Sequence, residues 1–173
     1  MAVRWVRSIW RACSGVIPRG STRCWLPSST APADFAPKTI RAVLPAVIGA
    51  TEVVVLHLAR TLDDVARAGL EQADRLLVVL SLDVLSFRGA RRALPLLGEL
   101  GLEDRCDFVV NRAHRSDLVP GDVRRVFGRP PLAVIASDRT VGRAQDRGRL
   151  IPARGRAARA IDKLAATLME TPS

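Results

Sequence analysis

Leu76-Leu77-Val78-Val79-Leu80-Ser81-Leu82 is an almost unbroken apolar run of strand length. Three further runs share its character: residues 53–58 (VVVLHL), residues 108–110 (FVV, closed by Asn111) and residues 132–136 (LAVIA). They are continuous rather than alternating and rich in Val, Leu and Ile, the pattern of strands buried on both faces. Segments with helical spacing lie between them. Thr61 is placed to cap a helix with Asp63 and Asp64 in its first turn and Leu62, Val65, Ala66 and Leu70 on one face. Ser86 precedes Ala90, Leu94, Leu97 and Leu100, with Pro95 expected to kink or shorten that helix. Pro120 stands where a first helical residue belongs, followed by Asp122, Val123 and Phe127. Residues 157–169 carry one apolar stripe through Ala158, Ile161, Leu164, Ala165 and Leu168. Alternation of strand and helix with connections of this length predicts right-handed βαβ units, hence an α/β fold with a mainly parallel sheet and flanking helices.

The rest of the composition agrees with such a domain. The chain has 173 residues, 48% of them apolar and 25% charged, the balance of a folded protein. Three cysteines, Cys13, Cys24 and Cys106, form no CxxC, and with only His57 and His114 beside them neither a disulfide scaffold nor a structural zinc site is indicated. The net charge of +10 is unevenly distributed. Residues 1–33 hold five Arg and no acid, residues 34–100 balance, and residues 101–173 hold 14 basic against 9 acidic side chains. Lys38 and Lys163 are the only lysines among 27 basic residues, so the arginine bias pervades the chain and by itself points to no ligand. Residues 1–37 read as a poorly ordered basic extension, a composition shared with organellar transit peptides; residues 38–169 read as the folded domain and residues 170–173 as a tail. The apolar span 42–59 is interrupted by Pro45, Gly49, Glu52 and His57 and resolves as a short helix followed by a strand, so no membrane span is expected.

In a parallel sheet, ligands bind beyond the carboxyl ends of the strands. Here those ends are residues 57–60, Ser81 to Asp83, Asn111 with Arg112, and Ser137 with Asp138. At these ends the chain resembles the MinD/ParA-type P-loop ATPases, in particular their CpaE-like, septum-site-determining branch. Residues 54–60 (VVLHLAR) are similar to the family's "VVVDLPR" strand, and Ala73-Asp74 with residues 76–80 to its "aD.vllV" strand. Residues 86–94 resemble its "s.raarrl" helix, residues 108–112 (FVVNR) its "lVlNR" strand, and residues 134–138 (VIASD) its "vIPyD" segment. Ala144, Gly148 and Leu150-Ile151-Pro152 fit the "A...G.p" segment that follows. The resemblance covers residues 38–169 in order and spacing.

It also implies what is missing. The family opens with a lysine-bearing phosphate loop, "KGGxGKT", whose backbone N–H groups cradle phosphates. Pro37-Lys38-Thr39 keeps the Lys-Thr pair without a glycine, and Lys38 lies too close to residue 53 for the intervening elements. The Walker B acid is replaced by His57, an imidazole where magnesium needs a hard oxygen ligand. The expectation is therefore an incomplete, non-hydrolysing P-loop domain with no cofactor, ATP and magnesium entering only if the missing N-terminal half is supplied.

The resemblance leaves a residual adenine side at Asn111, Arg112, Ser137 and Asp138, Asn111 offering the donor and acceptor that read an adenine edge. A second candidate surface is basic. Arg139, Arg143 and Arg147 recur every four residues and are followed by Arg149, Arg154, Arg156 and Arg159, with Asp146 alone opposing them. Such a face suits weak contact with DNA phosphates without sequence preference, and it carries no aromatics for stacking. The family resemblance implies a cytoplasmic, bacterial localisation regulator, gathered at the septum or pole, that acts through protein partners of the division or secretion machinery. A positioning ATPase of which this chain is a fragment, and a nonspecific DNA-associated module, are the alternatives. An exposed sheet edge adds the expectation of self-association.

Overall fold

The computed structural model describes residues 37–51, 53–58, 62–149, 151 and 154–170. The chain divides into two compact units, Met1–Ala73 and Asp74–Ser173. Of the proposed basic extension only Pro37 lies within the described residues, and the proposed tail beyond Glu170 lies outside them.

In the first unit, helix α1 (Pro37–Ile48) packs against helix α2 (Asp64–Leu70). Pro37 begins α1, where a missing N–H costs nothing. Asp63 caps α2, its Oδ1 accepting from Ala66 N at 2.8 Å. Thr61, the cap expected from the sequence, lies outside the described residues, and Leu62 is exposed rather than on the packed face. The buried side of α2 is Leu70 with Ala66, Ala68 and Gly69, the last three small enough to let other chain segments approach closely. Leu56 and Leu58 take up that space, their methyl carbons 3.5 and 3.4 Å from where a Cβ on Gly69 would stand.

The strand expected at residues 53–58 does not form: the segment is irregular, and Val55 is 87% exposed. A strand exists only through ladder hydrogen bonds to a neighbour, and no described residue pairs with this one. Leu58 is half-buried beside Gly69 of α2, while Leu56 stays 40% exposed.

The second unit is a three-stranded parallel sheet, order β1-β2-β3, with helices after each strand. Its strands are β1 (Leu76–Leu80), β2 (Cys106–Ala113) and β3 (Ala133–Ala136). Its helices are α3 (Val84–Glu99), α4 (Pro120–Phe127), α5 (Arg139–Asp146) and α6 (Arg156–Glu170), with a 3₁₀ turn at Glu103–Arg105. Register runs from Leu76 opposite Cys106 to Leu80 opposite Val110. The central strand is buried on both faces along Phe108, Val109 and Val110, which is why its sequence does not alternate. Leu80, Leu82, Phe87, Ala90, Phe108, Val110 and Val123 form one core. Phe127 closes it, stacked on Phe108 with ring centroids 4.7 Å apart and tilted against Phe87 at 5.4 Å. An ion pair between Arg75 and Asp107 ties the entries of β1 and β2.

Three boundaries depart from the sequence reading. Helix α3 starts at Val84 under an Asp83 cap rather than at Ser86, and it runs through Pro95 to Glu99 without stopping. Pro95 is exposed, and the one hydrogen bond it forgoes does not end a helix anchored by Phe87, Ala90 and Leu97. Strand β2 does not end at Asn111 but continues through Arg112 to Ala113. Stripe residues Ile161 and Ala165 of α6 are exposed, its burial being concentrated at Ala157 and Ala158 beside β3. Pro120 starts α4 as expected, with Asp122 Oδ2 accepting from Val119 N at 2.8 Å and Gly128 ending it in the left-handed conformation at φ 78°. No helix among the described residues is long and apolar enough to cross a membrane.

Candidate functional site

The carboxyl ends of β1, β2 and β3 form one edge, and it is built by a chain of short polar contacts. After β1 the backbone turns into α3 through Ser81, Leu82 and Asp83. Asp83 Oδ1 accepts from Ser86 N at 2.8 Å, Ser81 Oγ donates to Asp83 Oδ2, and Ser81 N donates to Ser86 Oγ at 3.0 Å. The Ser81 hydroxyl, then the Ser86 N–H, hold the Asp83 carboxyl below its ordinary 3.8, with a lesser contribution from the His114 ring. The loop after β2 is pinned to this turn by Ser116 Oγ, which donates to Leu82 O at 2.7 Å. None of these serines was singled out from the sequence as a contact. The signal available was Asp83 three residues before Ser86 at the mouth of a helix, the spacing of an N-cap.

Between β2 and β3 the register jumps. Val110 faces Val134 and Ala113 faces Ala136, so Asn111 and Arg112 together oppose Ile135. This is a β-bulge, and Arg112 takes up the extra residue at φ 53°, a left-handed conformation that costs a non-glycine residue energy. Asn111 Oδ1 accepts from Arg112 N at 2.9 Å, and His114 Nδ1 lies 3.0 Å from Arg112 O. The bulge turns the Arg112 side chain to the exposed surface while Asn111 stays half-buried. On β3, Ser137 N donates to Ala113 O at 2.8 Å and restores the ladder.

Asp138 joins two helices. It caps α5 by accepting from Thr140 N at 2.9 Å and Thr140 Oγ1 at 2.7 Å, and it accepts from Ala157 N in the first turn of α6 at 3.5 Å. The Thr140 hydroxyl, followed by the Thr140 N–H, lowers its carboxyl below 3.8. Asn111 and Arg112 lie near the end of β2, and Ser137 and Asp138 follow the end of the adjoining β3. Two of the four are already engaged: the Asn111 oxygen by Arg112 N, and the Asp138 carboxylate by two helix N-termini. Asn111 retains its amide NH₂ and one oxygen lone pair for an incoming group.

The remaining candidates lie elsewhere. His57 is exposed within the irregular segment 53–58 of the first unit. Lys38 and Thr39 are in the first turn of α1, so the Lys-Thr pair is helical and forms no phosphate loop. No carboxylate replaces His57 at its own position, and no group of three His, Cys, Asp or Glu side chains among the described residues is placed to hold a metal ion. Arg139 and Arg143 project from α5 and Arg147 caps its end, all three exposed. Arg139 sits at the positive end of the helix dipole, where Asp138 offsets it, and Gly148 turns the chain away at φ 59°. Leu150 and Pro152, in the segment that follows, lie outside the described residues.

No family model and no curated sequence matches the chain. Solved structures do. A ParA family ATPase from Chlorobium tepidum superposes with a TM-score of 0.72 over 83% of this chain and 62% of its own, at 19% identity. The septum site-determining protein MinD of Pyrococcus horikoshii, complexed with Mg-ADP, gives 0.68 over 78% of this chain and 57% of its own, at 20% identity. A chain of the MinC:MinD cell division protein complex of Aquifex aeolicus gives 0.68 over 80% of this chain and 61% of its own, at 19% identity. The chain spans 57 to 62% of the length of these structures. What they share with it is the fold: a parallel sheet with flanking helices of the MinD/ParA P-loop NTPase type.

Proposed function

We propose that the chain is a non-catalytic localisation regulator of the septum-site-determining, CpaE-like kind. It acts in cell division, or in secretion and pilus placement, by protein contact rather than by hydrolysis. One observation carries the reading: a fold shared with positioning ATPases occurs in a chain whose Lys38-Thr39 pair is helical and whose residue 57 is an exposed imidazole. Hydrolysis of a triphosphate needs charge neutralisation at the transferred phosphoryl group, supplied by a phosphate loop and magnesium. Neither position offers it. What remains at the carboxyl edge is a rigid set of strand ends, capped and cross-braced through Asp83, Ser116 and Asp138, suited to present a surface to another protein. The MinC:MinD structure is a precedent for that fold meeting a protein partner of the division machinery. We assign the chain to the cytoplasm, concentrated at the septum or pole.

The second reading is a portion of an active positioning ATPase whose phosphate loop is encoded elsewhere. It is favoured by the share of the similar structures that the chain spans. ATP turnover by the purified full chain with magnesium tests the choice. We expect none above the protein-free background. Turnover that falls on Asn111→Ala would overturn the regulator in favour of the ATPase.

A further inference from the structure

We propose that Asn111 and His114 clamp Arg112 in its left-handed conformation, and that this clamp keeps a guanidinium out of the core at the end of β2. Side chains along a strand alternate between its two faces. Phe108 and Val110 belong to the core cluster of the second unit, so an unbroken strand would send Arg112 in after them. The bulge prevents this. It inserts one residue between the pairs Val110–Val134 and Ala113–Ala136, and so passes the core-facing place from Arg112 to Ala113. Ala113 packs against the cluster, and Arg112 is left exposed. A methyl group is at home beside Val110 and Phe108, whereas an unpaired charge there would carry a heavy desolvation cost.

The bulge has a cost of its own at the residue that makes it. Glycine is the usual occupant of a left-handed bulge position, yet Arg112 is the one non-glycine residue with positive φ among those described. Its neighbours supply what holds it there. The Arg112 N–H donates to Asn111 Oδ1 at 2.9 Å, and the Arg112 carbonyl meets His114 Nδ1 at 3.0 Å. A carbonyl only accepts, so this contact fixes His114 in the tautomer that carries its proton on Nδ1. Both backbone polar groups of the strained residue are thus taken by side chains one and two positions away. Every residue involved lies in the second unit, between Phe108 and Ala136. His114 acts here as a positioning residue: it holds the Arg112 backbone, and through it the face on which Arg112 and Ala113 leave the sheet. This inference is independent of whether the chain hydrolyses ATP.

Nuclear magnetic resonance on the full chain tests it. Asn111 is the only asparagine, so isotope labels on asparagine carbonyl carbons and arginine nitrogens leave a single correlation, that of the Arg112 N–H. We expect its intraresidue HN–Hα cross-peak to have the high intensity that a positive φ produces. At pH about 8.5, roughly two units above the ordinary imidazole value of about 6.5, the His114 ring should carry its proton on Nδ1. In His114→Ala, with circular dichroism confirming the fold, the cross-peak should fall to the intensity of an extended residue. Adding Arg112→Asn to His114→Ala should restore it, because asparagine tolerates the left-handed region without a clamp. The correlation between positions 111 and 112 in asparagine-labelled protein reads that variant. A negative φ at Arg112 in the wild type, or a His114 ring protonated on Nε2, would overturn the proposal without any variant having to fold. So would a positive φ that survives His114→Ala, or a double variant that stays extended.

Discussion

Asp138 holds the start of α5 through both the N–H and the hydroxyl of Thr140. By contact it is a helix cap shared between α5 and α6. Its carboxyl is held below the ordinary 3.8 by hydrogen bonds that only the folded chain provides, and Asp83 is held the same way by Ser81 and Ser86. A folded-state value below the unfolded one contributes stability that is complete above the unfolded value and is lost as pH falls through the folded value. The second unit should therefore lose stability in acid in the window below 3.8, as the two carboxylates protonate. Asp138→Asn keeps an oxygen to accept from Thr140 N but cannot titrate. Urea midpoints measured from pH 6 to about pH 2.5 should fall less steeply for the variant than for the wild type, in keeping with one titrating group removed. Equal slopes would mean that the cap carries no proton linkage.

Among the elements, those with a local signal were legible and those that depend on a partner were not. Pro120 announces α4, and the periodic residues of α3 and α6 announce helices, because capping and amphipathicity are properties of the segment itself. Strands β1, β2 and β3 were legible because each is apolar on both faces. Residues 53–58 have the same composition and remain irregular, since strand formation needs a neighbour that no local pattern supplies. The bulge at Asn111-Arg112 was hidden for a related reason: it is a relation between β2 and β3, not a property of either. That β2 and β3 end at one edge was legible from the parallel pattern, whereas the commitment of the polar atoms of Asn111 and Asp138 was not.

Helix α5 carries the basic face that the four-residue spacing indicated, and it is short. Arg139, Arg143 and Arg147 supply three guanidinium groups along eight residues and a cap. Duplex binding measured by fluorescence anisotropy should be indifferent to sequence, with a log–log salt slope no steeper than about 3, at roughly 0.9 per phosphate neutralised. It should vanish near physiological ionic strength and be abolished at low salt by changing all three to Glu. Tight binding at physiological salt, lost in that variant, would make the nucleic-acid reading the better one.

At the scale of the molecule, the two compact units differ in what they bury. The described core of the first comprises Leu44, Leu70 and the small residues of α2. The second holds Phe87, Phe108, Phe127, Val110 and Val123 within one cluster, closed by a sheet whose central strand is covered on both faces. A domain folds alone when its own core suffices, and a segment of about 100 residues is long enough for that. Residues 74–173 expressed alone should therefore melt in a single cooperative transition. Phe108→Ala in this fragment removes the ring stacked on Phe127 and opens a cavity beneath α3 and α4, at a cost of about 3–5 kcal/mol. That loss is a large fraction of the roughly 5–15 kcal/mol that stabilises a domain, so the variant should melt at a markedly lower temperature. Met169→Ala, at the exposed end of α6, removes a side chain that buries little and should leave the transition in place. A wild-type fragment without a cooperative transition, alongside a full chain that has one, would show that the sheet depends on residues before Asp74 for its stability.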